Sequence, residues 1–144
     1  MIKLFETQDI QEVLKIEQSL FDRAWSYDNF YDAVTGLLHC CITYKSDGII
    51  IGYAIAQLLC ETEAEILKIT VSKEYQGRGI GKTLLKHIIG ICSKKNITTI
   101  FLEVSTTNTS AVNLYKSAGF KQLGIRKNYY GEGKDAFNFV LELI

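Results

Sequence analysis

The sequence predicts an α/β fold, a mixed and mostly antiparallel sheet flanked by helices in the order β-α-α-β-β-β-α-β-α-β-β. Three observations carry this. Runs rich in Ile, Val, Tyr and Thr recur at strand length, apolar residues recur at helical spacing between them, and one glycine-rich turn joins a strand to a helix. With 144 residues the chain is long enough for one core and short for two, and no repeat, low-complexity segment or linker divides it. Residues 1–144 are therefore taken as a single domain.

Residues 2–5 read as a short strand. Asp9-Ile10-Gln11-Glu12 has the spacing of a capping box, and Ile10, Val13, Leu14 and Glu17 follow at helical intervals, which predicts a helix over 8–20. Ser26 caps a second helix, in which Tyr27, Phe30, Tyr31 and Val34 share a face before Gly36 ends it. Residues 38–44 and 49–59 are strands joined by the hairpin chemistry of Ser46-Asp47-Gly48, and 63–71 adds a third antiparallel partner. Leu84, Leu85, Ile88, Ile91 and Cys92 form the apolar stripe of a helix over 79–94. A strand over 98–104, a helix over 108–118 closed by Gly119, and strands over 120–125 and 136–144 flanking 129–135 complete the chain. The strand at 63–71, the helix at 79–94 and the strand at 98–104 make one central βαβ unit. Open sheets of this kind bind ligands near the carboxyl ends of strands, which directs attention to 71–82.

Composition narrows the function. Sixteen basic and sixteen acidic side chains cancel, so no overall field draws the chain to nucleic acid or an anionic membrane. Cys40, Cys41, Cys60 and Cys92 contain no C-x-x-C pair, which suggests neither a zinc site nor a disulfide framework and fits a reducing compartment. The first residues lack the pattern of a signal peptide, and no run approaches the ~20 apolar residues of a membrane span. The expectation is a cytoplasmic monomer with no metal.

Gln76-Gly77-Arg78-Gly79-Ile80-Gly81-Lys82-Thr83 lies between a strand and a helix, where glycines let backbone N–H groups face an anion at the helix's positive end. A nucleotide-triphosphate loop ending in Gly81-Lys82-Thr83 would need glycine at Gln76, and a dinucleotide fingerprint would need glycine or alanine at Lys82, so both readings fail. A plain helix-entry turn remains open. In Ile100-Phe101-Leu102-Glu103-Val104 the carboxylate of Glu103 stands in an apolar strand, where an unpaired charge is costly or is held protonated, as suits a general base; a frayed strand end paired with a lysine is the alternative. Tyr115 shares a helix turn with Ala111 and Leu114 and reads on its own as a core aromatic.

The spacing Gln76, Gly79, Gly81 resembles the coenzyme A loop of the GNAT superfamily of N-acetyltransferases. The resemblance implies that the backbone of Gln76, Gly77, Arg78, Gly79, Ile80, Gly81 and Lys82 binds the pyrophosphate of acetyl-coenzyme A. It implies also that Ile69, Thr70 and Val71 pair with the pantetheine arm, and that Asn108 contacts the cofactor, unless Asn108 is only a helix cap. Within Asn108 to Tyr115 to Gly119-Phe120, it makes Tyr115 the acid that protonates the departing thiolate, with Glu103 as base.

Several segments look closer to one branch, the RimI type that acetylates the N-terminal alanine of a small-subunit ribosomal protein. They are Ala24-Trp25-Ser26 with Phe30, Glu65-Ile66-Leu67-Lys68-Ile69-Thr70-Val71, Leu102-Glu103-Val104, Leu114-Tyr115, Arg126-Lys127-Asn128-Tyr129-Tyr130 and Asp135-Ala136. Trp25, Tyr129 and Tyr130 would then wall a slot for the substrate's first residues, the two tyrosines being otherwise strand-edge aromatics. The branch's usual proline before the tryptophan is Ala24 here, and its arginine after Leu-Glu-Val is Ser105. A small amine such as a polyamine or aminoglycoside would call for an acidic cleft, against which Arg126, Lys127 and Lys134 stand. A module that senses acyl-coenzyme A without turnover is disfavoured by the presence of Glu103 and Tyr115.

Overall fold

The computed structural model describes residues 1–143 and follows the expected order. The strands are β1 (Ile2–Leu4), β2 (His39–Ser46), β3 (Ile49–Leu58), β4 (Glu63–Val71), β5 (Thr99–Ser105), β6 (Lys121–Arg126) and β7 (Ala136–Glu142); the helices are α1 (Ile10–Leu20), α2 (Tyr27–Thr35), α3 (Ile80–Lys94) and α4 (Thr109–Ser117). The sheet runs β1-β2-β3-β4-β5-β7-β6, and among its neighbours only β4 and β5 are parallel. Residue 144, expected in the last strand, lies outside the described residues. No described helix is long and apolar enough to cross a membrane.

Two cores cover the two faces. On one, Leu84, Leu85, Ile88 and Cys92 of α3 and Val112 and Tyr115 of α4 pack on Ala64, Ile66, Ile100, Leu102 and Val104. On the other, Ile10, Val13 and Ile16 of α1 and Phe30 and Ala33 of α2 pack on Ile50, Tyr53 and Ile55 of β3. Strand alternation sorts the residues: the even positions of β5 enter the first core, so Phe101 and Glu103 project from the opposite face.

Two local expectations need correction. The box at the start of α1 is formed one turn earlier, in a 3-10 turn (Thr7–Asp9) where the Glu6 N–H donates to Asp9 Oδ2 at 2.9 Å. Glu12 instead reaches across to accept from the Ile50 N–H at 2.7 Å, because the sheet offers it an otherwise unpaired strand-end donor. In α2, which Ser26 caps as expected, the buried face is Phe30 and Ala33, while Tyr27 and Tyr31 stack on each other at 6.3 Å on the exposed side.

One irregularity shapes the centre of the sheet. On its β3 side β4 pairs Ile66 with Ala56 and Lys68 with Ile55, so Leu67 is an extra, bulged residue. A bulge bends its strand and raises its twist. On the β5 side the parallel register accordingly runs only from Glu63↔Thr99 to Ile66↔Leu102 and then ends, and the strands part. The bulge also turns Leu67 and Lys68 toward α1 and α2, while Ile69 and Val71 return to the α3 face.

Beside this opening lies a buried polar cluster. The Lys68 Nζ donates to Glu17 Oε2 at 2.6 Å, with side chains 12% and 0% exposed, and the Tyr53 hydroxyl donates to Glu17 Oε1 at 2.5 Å. The Trp25 N–H donates to Glu17 Oε2 at 2.9 Å, which ties the loop after α1 to the sheet, and the Lys68 ammonium stands over the rings of Phe21 and Trp25 at 4.8 and 4.9 Å. Removing one partner of such a pair strands a buried charge. Lys68→Met is expected to lower the unfolding free energy by about 3 kcal/mol in guanidinium titration; an unchanged midpoint would mean that Tyr53 and Trp25 satisfy Glu17 alone.

Candidate active site

Where β4 and β5 part, a cavity of about 1070 Å³ opens on the face of Glu103. Its wall includes Trp25, Glu65, Lys68, Ile69, Thr70, Glu103, Asn108, Tyr115, Tyr129 and Tyr130. Five elements therefore converge on it: β4, β5, α4, the loop after α1 and the loop between β6 and β7. The structure brings the candidate base, acid and slot residues to one place. Val71 and the turn from Gln76 to Lys82 do not line this cavity.

Glu103 is neither frayed nor paired with a lysine. Its side chain is 8% exposed, Arg126 Nε stands 3.4 Å from Oε1, and Oε2 is buried without a hydrogen-bond partner. Burial pushes its carboxyl above the ordinary range; the Arg126 guanidinium acts against this and the Glu65 carboxylate acts with it. Tyr115 belongs to the core and also reaches the cavity wall. Its ring packs edge-on against Phe120 at 5.7 Å. Burial, and after it the neighbouring Tyr130, push its phenol well above the usual value, so it stays protonated at neutral pH.

Tyr129 and Tyr130 sit on a turn, edge to face at 4.9 Å, not on a strand edge. The turn is braced. Asn128, at φ +58°, accepts from the Gly133 N–H at 2.7 Å and donates its own N–H to Asp135 Oδ1 at 2.9 Å, while the Asp135 carbonyl accepts from Thr106 N–H at 3.1 Å. Burial first, then Tyr129 and Glu103, push the Tyr130 phenol up to about 12. The Arg23 guanidinium comes to 3.6 Å from where a Cβ on Gly131 would stand, so the loop after α1 and this turn approach each other at the cavity wall.

The glycine turn has the geometry of an anion cradle. Gly77 and Gly79 take φ +77° and +82°, and a Cβ on either would meet nothing within 4 Å, so the backbone conformation and not packing calls for glycine there. Gly79 is the N-cap of α3 and has no side-chain cap; the first helical bond is Thr83 N–H to Gly79 O at 3.1 Å. The N–H groups of the first turn, on Ile80, Gly81 and Lys82, therefore point out of the helix without an intrahelical acceptor. Gln76 braces the turn by donating from Nε2 to the Val71 carbonyl at 3.0 Å, and its own N–H goes to Lys73 O. Arg78 folds back over Tyr75 at 5.1 Å.

Between cradle and cavity runs the open edge of β4. The Ser72 N–H donates to Ile51 O at 2.8 Å, toward β3, so by alternation the backbone groups of Val71 and Ile69 face the opening and those of Thr70 face β3. Asn108 acts as the helix cap, its Oδ1 accepting from the Ala111 N–H at 3.1 Å, and also lines the cavity.

Sequence reading missed Glu65, Lys68 and Glu17. The lining also reverses an expectation about charge: Arg126 and Lys127 are not part of it, and the acidic Asp22, Glu65, Glu103, Glu132 and Asp135 outnumber the basic Arg23, Lys68 and Lys134.

Because the folded protein holds the Glu103 carboxyl above its unfolded value, ionising Glu103 opposes folding. That penalty is absent below the ordinary carboxylate range and complete above the raised one. Glu103→Gln is thus expected to raise the melting temperature at pH 7.5 and to leave it near the parent's at pH 3.5; thermal melts at the two pH values check this.

Residues 7–120 match the acetyltransferase (GNAT) family. The chain is 34% identical to the [ribosomal protein bS18]-alanine N-acetyltransferase of Escherichia coli (strain K12), with 90% of this chain and 86% of that protein covered. Among solved structures, the ribosomal-protein-S18-alanine N-acetyltransferase from Escherichia coli superposes with a TM-score of 0.89 at 32% identity, covering 99% of this chain and 92% of that one. Ard1 from Thermoplasma volcanium superposes with a TM-score of 0.92 at 25% identity, covering 100% and 97%.

Proposed function

Since the chain belongs to the acetyltransferase (GNAT) family, we propose that it transfers an acetyl group from acetyl-coenzyme A to the N-terminal α-amine of a protein, the N-terminal alanine of a small-subunit ribosomal protein. The observation that carries this reading is the single cavity in which buried Glu103, protonated Tyr115 and the Tyr129-Tyr130 turn meet at the end of an open strand edge.

The donor fits the residues present. The uncapped first turn of α3, with Gly77, Gly79 and Gly81, suits the pyrophosphate, and the outward backbone of Ile69 together with the Val71 N–H suits an extended amide-bearing arm, the Val71 carbonyl being taken by Gln76. Gln76 and Arg78 shape that turn through their side chains, and Lys82 adds charge beside it.

Glu103 takes a proton from the acceptor's ammonium, directly or through water. The freed amine attacks the thioester carbonyl carbon, the carbon–sulfur bond breaks as Tyr115 gives its proton to the departing thiolate, and the second proton lost by the nitrogen returns through water to the phenolate, leaving the amide, the thiol and one proton on Glu103. An N-terminal amine with a pKa of about 8 needs only modest help, unlike a lysine near ~10.4. Transfer is direct. No cysteine lines the cavity, and burial pushes the Cys41 thiol up to about 12 and Cys92 up to about 11, which leaves them poor nucleophiles. All the groups come from one chain, so a monomer suffices.

An acidic lining suits any cationic amine, so the test pairs peptides with a polyamine. With acetyl-coenzyme A and a peptide beginning with alanine, the protein is expected to release free thiol; release with the polyamine alone would overturn the acceptor. Glu103→Gln is expected to lower kcat/KM by roughly 10²-fold or more near pH 7 and less above pH 9, where the amine is already neutral. Tyr115→Phe is expected to lower kcat with unchanged coenzyme binding by calorimetry.

A further inference from the structure

We propose that Glu65 is a second substrate-binding carboxylate, which holds the acceptor's α-ammonium between itself and Glu103 and makes a positive charge on the acceptor a condition of productive binding. The inference rests on the acceptor reading above and deepens it.

Ala64 and Ile66 enter the core under α3, as do Leu102 and Val104, so Glu65 and Glu103 project from the same, opposite face. Glu65 is in register with Phe101, two residues before Glu103, and stands next to the point where the strands part. Both carboxylates line the cavity. Among the described residues Glu65 has no salt-bridge partner, and Glu103 has only Arg126, whose side chain is 57% exposed.

The charges facing this spot come from every neighbouring element. β4 supplies Glu65 and also Lys68, whose ammonium is already taken by Glu17 of α1; the loop after α1 supplies Asp22 and Arg23; β6 supplies Arg126; the turn after it supplies Tyr129, Tyr130, Glu132, Lys134 and Asp135; α4 supplies Tyr115. The Tyr129 phenol feels both carboxylates. Among the described residues the solvent-facing Arg126 is the one cation ion-paired with either carboxylate, and acidic side chains outnumber basic ones around the rest of the wall, so the spot keeps an excess of negative charge. The buried, unpartnered Glu103 Oε2 marks where a donor is missing. A primary ammonium carries three donors in a compact point charge and satisfies this arrangement: one bond to each carboxylate holds it, and the proton shared with Glu103 is the one removed. A neutral acceptor would leave that excess of negative charge unneutralised in a partly desolvated site, which is a discrimination built on mismatch.

The test is Glu65→Gln in the full chain, with steady-state kinetics on an alanine-started peptide and inhibition by its Nα-acetylated form. The peptide KM is expected to rise about tenfold, the loss of one charge-assisted hydrogen bond, with kcat and the KM for acetyl-coenzyme A within about twofold. The acetylated peptide carries no N-terminal charge, and its inhibition constant is expected to stay the same. The acid limb of the kcat/KM profile is expected to move to lower pH, since the Glu65 carboxylate helps keep Glu103 protonated. Glu65→Asp should recover part of the KM. An unchanged peptide KM, or an equal loss for free and acetylated peptide, would overturn the proposal while leaving the acceptor reading intact. A parent chain that acetylates no peptide would overturn both.

Discussion

Parallel pairing between β4 and β5 stops after Ile66 and Leu102, and the site depends on that interruption. Its cause is local. Leu67 is one residue too many for β3, the strand bends at the bulge, and β4 leaves β5 while staying bonded to β3 along its other edge. Had the pairing continued, Ile69 and Val71 would have given their backbone groups to β5, and no polar edge would face the opening. Glu103 lies one residue past the last pair, at the fork. Because β4 runs on into the turn that starts α3, the helix N-terminus stands at the far end of the same edge. One extra residue thus sets strand edge, carboxylate and helix end along a line.

The two buried glutamates show how the same side chain is put to different uses. Glu17 is fully buried, and both its oxygens are occupied, by Tyr53 on one side and by Lys68 and the Trp25 N–H on the other. It is a closed arrangement that holds the loop carrying Trp25 against the sheet. Glu103 is nearly as buried but has one loose, exposed cation and one empty oxygen. An incompletely satisfied carboxylate is costly to keep ionised, which is the condition a base needs to exchange a proton near neutral pH. The first cluster is closed, and the second is left open.

Most of the fold was legible in the sequence because its elements are strongly patterned. The stripe Leu84, Leu85, Ile88 and Cys92 could only be a helix face, and the hairpin at Asp47-Gly48 has positive φ at both residues, as its chemistry implied. Glu103 stood out as a charge in an apolar strand. The bulge did not stand out, although the apolar spacing widens from two to three between Ile66 and Ile69, and that shift was its signature. Partners distant in sequence were also hidden: Lys68 with Glu17, Arg126 with Glu103, and the proximity of Glu65 to Glu103 all need the register. Asp9 and Glu12 misled because the motif is local while Glu12's acceptor role is settled by β3. The net charge of the chain segment around Tyr129 likewise said little about which of its side chains enter the cavity.

On the proposed reading, the donor binds as an added strand along the open edge of β4, below the first turn of α3. Amide hydrogen exchange resolved by residue tests it most directly, with and without saturating acetyl-coenzyme A. New protection is expected at Ile69 and Val71 and at the Gly81 and Lys82 amides, with Thr70 and Ser72, already facing β3, unchanged. Binding that leaves the Ile69 and Val71 amides exchanging as before would contradict it.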